Sequence, residues 1–382
     1  MLRVAVARRH LYRASRPLSN LGKQSLPRIY LDHAATTPLL PAAREAMVEA
    51  LERWANPSSP HAEGRAAKAA LEQARERIKA ALGWTGELIF TSGATEAAVL
   101  AFRRCWAEGP KPMLSTVEHD AVRRQAPEGE RINIGVDGGG LLDPQQLASW
   151  LQIARGGLVA VQHVNSETGV IQPIEQIVEA IDAAGSFLFV DCAQSAGKLP
   201  LPPADMIALS AHKFGGPPGI GALLVRDLKL LVPQGGQEKG YRGGTENLPA
   251  IIGMAAALES GREWLASAST LRDRLDRATL SAGGEIVAEG SRRISTIGAY
   301  RMPGIPANAQ LIQFDMAGIA VSAGSACSSG SLKTSHVLAA MGWDERAASE
   351  VVRVSFGRST TAAEVDRFAA LWTDMAAKRR AA

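Results

Sequence analysis

Two segments, FLFVD (Phe187–Asp191) and LVAVQHV (Leu158–Val164), are apolar almost without interruption. A strand built from either must be covered on both faces, which confines the chain to folds with helices on each side of a sheet. Further strand candidates are Glu87–Thr91, Met113–Thr116, Ile132–Val136, Asp205–Ser210 and Gly221–Val225. Around and between them lie helical segments: Pro41–Trp54, His61–Leu82 closed by Gly83, Glu96–Trp106, Pro144–Ala154, and Pro173–Ala184 closed by Gly185. Leu71, Ala74, Ile78 and Leu82 repeat at helical spacing. The alternation predicts an α/β fold around a mostly parallel, seven-stranded sheet.

After Pro249 the texture changes. An Ala/Leu-rich helical stretch, Ile251–Ala266, and a second helix, Thr270–Ser281, precede strands near Ile294–Tyr300, Gly318–Ser322 and Val351–Phe356. Helices Ala309–Met316, Ser335–Met341 and Ala362–Lys378 accompany them. The expected organisation is a basic tail (1–28), a large domain (29–250) and a smaller α+β C-terminal domain (251–382). With 382 residues, the chain has room for two to three units at about 150 residues each.

The net charge of +4 comes from 42 Lys and Arg against 38 Asp and Glu. Seven of those cations precede the first acid, Asp32, leaving 35 bases against 38 acids in the body. The basic excess therefore belongs to the tail, and no direct nucleic-acid binding is expected of the folded part. The tail is Arg-rich and acid-free, as a transit sequence would be, but the favoured reading is a simple extension or an upstream start codon. The expectation is a cytoplasmic protein, with the mitochondrial matrix as the alternative if the tail is cleaved. No apolar run reaches the roughly 18 residues of a membrane span. Three cysteines without a CxxC pair argue against disulfides and against a metal site.

Chemistry concentrates at strand ends. Lys213 follows the apolar segment ADMIALS, where desolvation favours a neutral amine able to form a Schiff base. Asp191 closes FLFVD and could keep a pyridinium nitrogen protonated; Gln194 offers an amide nearby. Ser92–Ala97 (SGATEA) follows a strand and opens a helix, a setting in which free N–H groups and the Thr95 hydroxyl suit a phosphate. Cys327 lies in a Ser/Gly-rich segment expected to be an accessible loop, and Arg353 could clamp a carboxylate.

These residues, with LDHAATTP (31–38), NPSSPHAEGR (56–65), HVNSETG (163–169), RGGTEN (242–247) and SAGSACSSGS (322–331), resemble the cysteine desulfurases of the NifS/IscS type, which are fold-type-I pyridoxal phosphate enzymes. The resemblance extends from about Ile29 to Lys378. It implies pyridoxal 5'-phosphate held by Lys213, with Asp191 at the ring nitrogen and Gln194 at the phenolic oxygen. Ala94, Thr95, Ser210 and His212 would hold the phosphate, and Thr245 would reach the phosphate of the neighbour in a homodimer. His119 would stack on the ring and shuttle protons, Asn165 would lie beside both the cofactor and the substrate carboxylate, and Arg353 would clamp that carboxylate. Cys327 would receive sulfur from L-cysteine as a persulfide, release L-alanine, and pass the sulfur to an acceptor such as an iron–sulfur scaffold or a tRNA-thiolation enzyme. Two departures from the family pattern, His33-Ala34 and Ser166, put side-chain contacts at those positions in question. A selenocysteine lyase or aminotransferase of the same fold remains an alternative reading, as does a catalytically silent scaffold.

Overall fold

The computed structural model describes residues 28–53, 55–324 and 335–381. The segment carrying Cys327 and the tail before Arg28 lie outside the described residues. In chain order the strands are β1 (Ile29–Tyr30), β2 (Glu87–Thr91), β3 (Met113–Ser115), β4 (Ile132–Ile134), β5 (Leu158–Gln162), β6 (Phe187–Asp191), β7 (Met206–Ser210), β8 (Gly221–Val225), β9 (Glu285–Ile286), β10 (Ile297–Arg301), β11 (Ile319–Ala320) and β12 (Val351–Ser355). The helices are α1 (Pro41–Glu52), α2 (Ala62–Leu82), α3 (Ala94–Glu108), α4 (Asp120–Arg123), α5 (Pro144–Ile153), α6 (Ile174–Ala183), α7 (Leu248–Glu259), α8 (Trp264–Ser281), α9 (Ala307–Met316), α10 (His336–Ala340), α11 (Glu345–Ser349) and α12 (Ala362–Ala381). None of the described helices is long and apolar enough to cross a membrane.

Strands β2-β8-β7-β6-β5-β3-β4 form one seven-stranded sheet in that order. Neighbours are parallel except the two pairs made by β8. The double burial expected of the central strands follows from side-chain alternation. Leu188 and Val190 of β6, with Val159 and Val161 of β5 and Ile207 and Leu209 of β7, pack into one apolar cluster. Phe189, Leu158, Ala160, Met206 and Ala208 pack into the cluster on the opposite face.

Helix limits follow local chemistry. The His61 ring caps α2 by accepting the Gly64 N–H at 3.2 Å, and Gly83 ends that helix at φ 68°. The helical stretch expected over Ile251–Ala266 divides instead between Glu259 and Trp264, because Gly261 takes φ 80° and cannot continue a helix. The separate helix expected from Thr270 is thereby absorbed into α8. Ile251 falls inside α7, and Ile251, Met254 and Ala255 pack in the large cluster beside α1 and α2. Ile29 and Leu31 pack with the C-terminal cluster, since β1 pairs with β11. That cluster also holds the antiparallel sheet β12-β10-β9 and a stack of Phe314 on Phe368.

The sheet edge at β2 is closed by side chains. Arg75 of α2 donates to the Leu88 carbonyl at 2.7 Å, and Glu238 accepts the Phe90 N–H at 2.8 Å. The two bond each other at 2.9 and 3.0 Å, both buried, so a bidentate ion pair occupies the place a further strand would take. Glu238 and Lys239 adopt left-handed backbone, φ 47° and 59°, to deliver that carboxylate. Replacing Glu238 with Ala leaves the buried Arg75 with the Leu88 carbonyl and, as its carboxylate partner, the half-exposed Glu72. The expected loss of stability is about 3–5 kcal/mol, measured by urea unfolding; a loss under about 1 kcal/mol would contradict the role given to the pair.

Candidate active site

The C-terminal ends of β2, β3, β6 and β7 open on one cavity of 440 Å³, the usual place for a ligand in such a sheet. It brings together Ala94, Thr95, His119, Asp191, Gln194, Ser210, His212 and Lys213. From Ala94 to Lys213 they span more than 100 residues of sequence, which the strand order brings together.

Asp191 ends β6 and is buried. One of its oxygens accepts the Ala193 N–H at 2.8 Å. Burial pushes its pKa up, against the opposing pull of that bond and of His119 and Lys213. Lys213 closes the 3-10 turn Ala211–Lys213 after β7, and its Nζ donates to the carbonyls of Ala34 and Ala35 at 2.8 and 2.9 Å. Gln194 donates to the same Ala34 carbonyl at 2.9 Å, while its Oε1 is buried without a partner among the described residues. His119 accepts the Ala121 N–H on Nδ1 at 3.1 Å, which places the proton of its neutral ring on Nε2. His212 shares a 3.1 Å bond with Thr36, and burial followed by the Lys213 charge pushes its pKa down to about 4. Ser92–Gly93 turns the chain from β2 into α3 two residues earlier than expected, so Ala94, Thr95 and Glu96 are its first three residues. Their N–H groups have no carbonyl one turn back within the helix.

Two functional-looking groups carry no motif and were not expected. Glu118, beside His119, is fully buried. One of its oxygens accepts the Gln162 N–H at 2.5 Å and the other has no partner among the described residues. Desolvation, then the charge of Asp191, raises its pKa well above the carboxylate range. Lys198 is buried, shares a small cleft with Lys213 and Arg358, and is pushed down to about 7 by burial and then by Lys213. Only the packing exposes these two; an acid or lysine inside STVEHDAV or SAGKLP has no distinguishing spacing.

Other expected residues lie off the cavity lining. Asn165 is buried with Oδ1 accepting from Glu167 N, Thr168 N and Thr168 Oγ1. Arg353 donates to Asp32 at 2.7 Å and to the Ser166 carbonyl at 3.0 Å, leaving Nε without an acceptor among the described residues. Because position 166 contributes its backbone there, the departure at Ser166 leaves this contact intact. Thr245 is exposed, and Cys327 lies outside the described residues. His33 is buried edge-on to Tyr30 and fills the space beside Gly357, where a Cβ would lie 2.2 Å from its ring. Cys105 and Cys192 are poor nucleophiles, burial raising both thiols, that of Cys105 to about 11. Among the described residues no group of three or more His, Cys, Asp or Glu could hold a metal ion.

The aminotransferase class-V family model matches residues 29–368. A cysteine desulfurase of Cereibacter sphaeroides is 38% identical over 90% of this chain and 94% of its own. A NifS-like protein from Rickettsia africae superposes with a TM-score of 0.84 at 30% identity, covering 91% of this chain and 99% of that one. SspA in complex with cysteine is similar at a TM-score of 0.75 and 30% identity, over 87% of this chain and all of the other. With agreement in sequence and fold across nearly the whole described chain, the protein belongs to the class-V aminotransferase family, among its cysteine desulfurases of the NifS type.

Proposed function

We propose that the protein takes sulfur from L-cysteine onto Cys327 as a persulfide and releases L-alanine. The observation that carries this reading is one cavity lined by Lys213, Asp191 and the Ser92–Thr95 turn, in a chain of this family. Enzymes of the family use pyridoxal 5'-phosphate. The residues present fit its three polar parts: an amine for the aldehyde, a buried carboxylate for the ring nitrogen, and a helix N-terminus for the phosphate. The partnerless Gln194 Oε1 adds a buried polar atom suited to a polar occupant. When bound, the cofactor supplies an electron sink for negative charge at the substrate α-carbon.

The chain's own residues do the rest. Lys213 holds the cofactor and, with His119 Nε2, moves protons at the substrate carbons. Asp191 would keep the ring nitrogen protonated, and Gln194 would contact the phenolic oxygen. Ala94, Thr95, Ser210 and His212 hold the phosphate. Asn165 and Arg353 orient the substrate carboxylate, the open Arg353 Nε supporting that assignment. The Cys327 thiolate attacks the substrate sulfur; the S–S bond forms as the C–S bond breaks, and the carbon gains a proton to become alanine. An acceptor protein, such as an iron–sulfur scaffold or a tRNA-thiolation enzyme, then removes the sulfur. Thr245 is exposed and off its own cavity, which supports its assignment to the phosphate of a second copy in a homodimer. The bacterial relatives support a cytoplasmic location, and the proposal keeps the division into a large cofactor domain and a smaller C-terminal one.

Cys327→Ala should retain the cofactor's visible absorbance and lose persulfide formation and sulfur transfer by more than about 100-fold. A variant that transfers sulfur at the wild-type rate would refute the assignment. Glu118 yields a pH test. Its folded pKa lies above the unfolded value near 4.3, so the folded state binds more protons and stability falls as pH rises past that value. Glu118→Gln removes this penalty. Melts should coincide near pH 4, then diverge in favour of the variant by up to about 1.4 kcal/mol per pH unit. A variant less stable than wild type at pH 8 would show that Glu118 is ionised in the fold.

A further inference from the structure

Glu96, in the first turn of α3, stands behind the turn assigned to phosphate. Its Oε2 accepts the Ser92 N–H at 2.5 Å, and its Oε1 receives Arg242 Nε at 2.8 Å. Burial raises its pKa, but the bonds from Arg242 and Ser92 outweigh that and hold it below the usual range. An ionised carboxylate therefore sits at the positive end of a helix whose partial charge is only about half an elementary unit. Left alone, Glu96 would cancel the attraction of the turn for a dianion. Arg242 supplies the missing positive charge.

Arg242 is itself fixed. Its strand-like bridge to Gln237, and the 2.9 Å bond from Gly244 N to Gln237 Oε1, close the loop. The adjoining Glu238 is bonded to Arg75 and to the edge of β2. A second feature of the same cavity points to a polar occupant: Gln194, 4% exposed, lines it with an unpartnered amide oxygen. We propose that Arg242 is a positioning residue for the cofactor phosphate. It neutralises Glu96, so that Glu96 can brace Ser92 without repelling the dianion in front of it. This inference rests on the assignment of the Ser92–Thr95 turn to phosphate made above.

The test titrates the full-length protein, freed of cofactor, with pyridoxal 5'-phosphate and with pyridoxal, which keeps the ring and aldehyde but lacks the phosphate. Visible absorbance reports uptake. Arg242→Gln should weaken pyridoxal 5'-phosphate by about tenfold or more and pyridoxal by less than about threefold, the loss shrinking at high salt. Arg242→Lys, which keeps the charge, should stay within about threefold of wild type for both. The double variant Glu96→Gln/Arg242→Gln should recover most of the lost affinity, because the repelling charge is gone. Equal losses for the two ligands, or a double variant no better than Arg242→Gln, would overturn the inference alone and leave a structural loop contact. Failure of the wild-type protein to take up pyridoxal 5'-phosphate would overturn the cofactor reading beneath it as well.

Discussion

Strands β5 and β7 are buried along their whole length and β6 in all but Phe187, and a charge placed within them would have neither water nor a partner. Polar and ionisable groups are therefore displaced to where the strands stop. Asp191 is the last residue of β6, Ser210 the last of β7, and Lys213 belongs to the turn that follows. Gln162 pairs with Asp191 and Asp191 with Ala208, so the parallel register brings these ends to a common level. β2 runs in the same sense as β7, both being antiparallel to β8, which sets the Ser92 turn at that same end. The cavity is a consequence of the core.

Burial also sets the charge state around the cavity. His33 and His212 are both pushed down to about 4, first by desolvation and then by a neighbouring lysine, Lys198 and Lys213 respectively. Lys198 is pushed down to about 7 by the same two causes, while Glu118 moves the other way and keeps its proton. Each shift removes a charge from a region that solvates charge poorly. Asp191 is pushed up by burial in the same sense, but the Ala193 N–H, His119 and Lys213 all oppose that shift.

The sequence makes legible whatever repeats or ends sharply. Apolar runs locate the strands, Gly83 and Gly185 mark helix ends, and chemistry-bearing residues stand out at strand termini because polar side chains are otherwise excluded there. Less legible is anything decided by which surfaces meet. Gly261, not the residues before Thr270, breaks the C-terminal helical stretch, and one glycine in a helical texture carries too little signal to choose. The placement of α7 against α1 and α2 depends on three faces at once. Glu118 and the Arg75–Glu238 pair look like ordinary surface charges in sequence, because nothing local reveals that their neighbours in space are apolar or backbone. The pairing of Arg353 with Asp32 likewise joins positions 321 residues apart.

That last contact belongs to a strap, residues 29–40, that joins the C-terminal cluster to the cavity. Ile29 and Leu31 pack in the cluster, Ser355 N bonds the Leu31 carbonyl at 2.8 Å, and Ala34 N bonds Ser355 Oγ at 2.9 Å. The same few residues then present the Ala34 and Ala35 carbonyls to Lys213, and Thr37 N bonds the His212 carbonyl at 2.8 Å. A chain of hydrogen bonds therefore joins β12 to the backbone around Lys213. Arg353 sits on β12 and reaches Asp32 on the strap, so a carboxylate that competed with Asp32 for its guanidinium would act on both ends of this connection. The arrangement gives His33 its purpose: its buried ring fills the step between Tyr30 and Gly357, keeping the strap seated where a smaller side chain would leave a void.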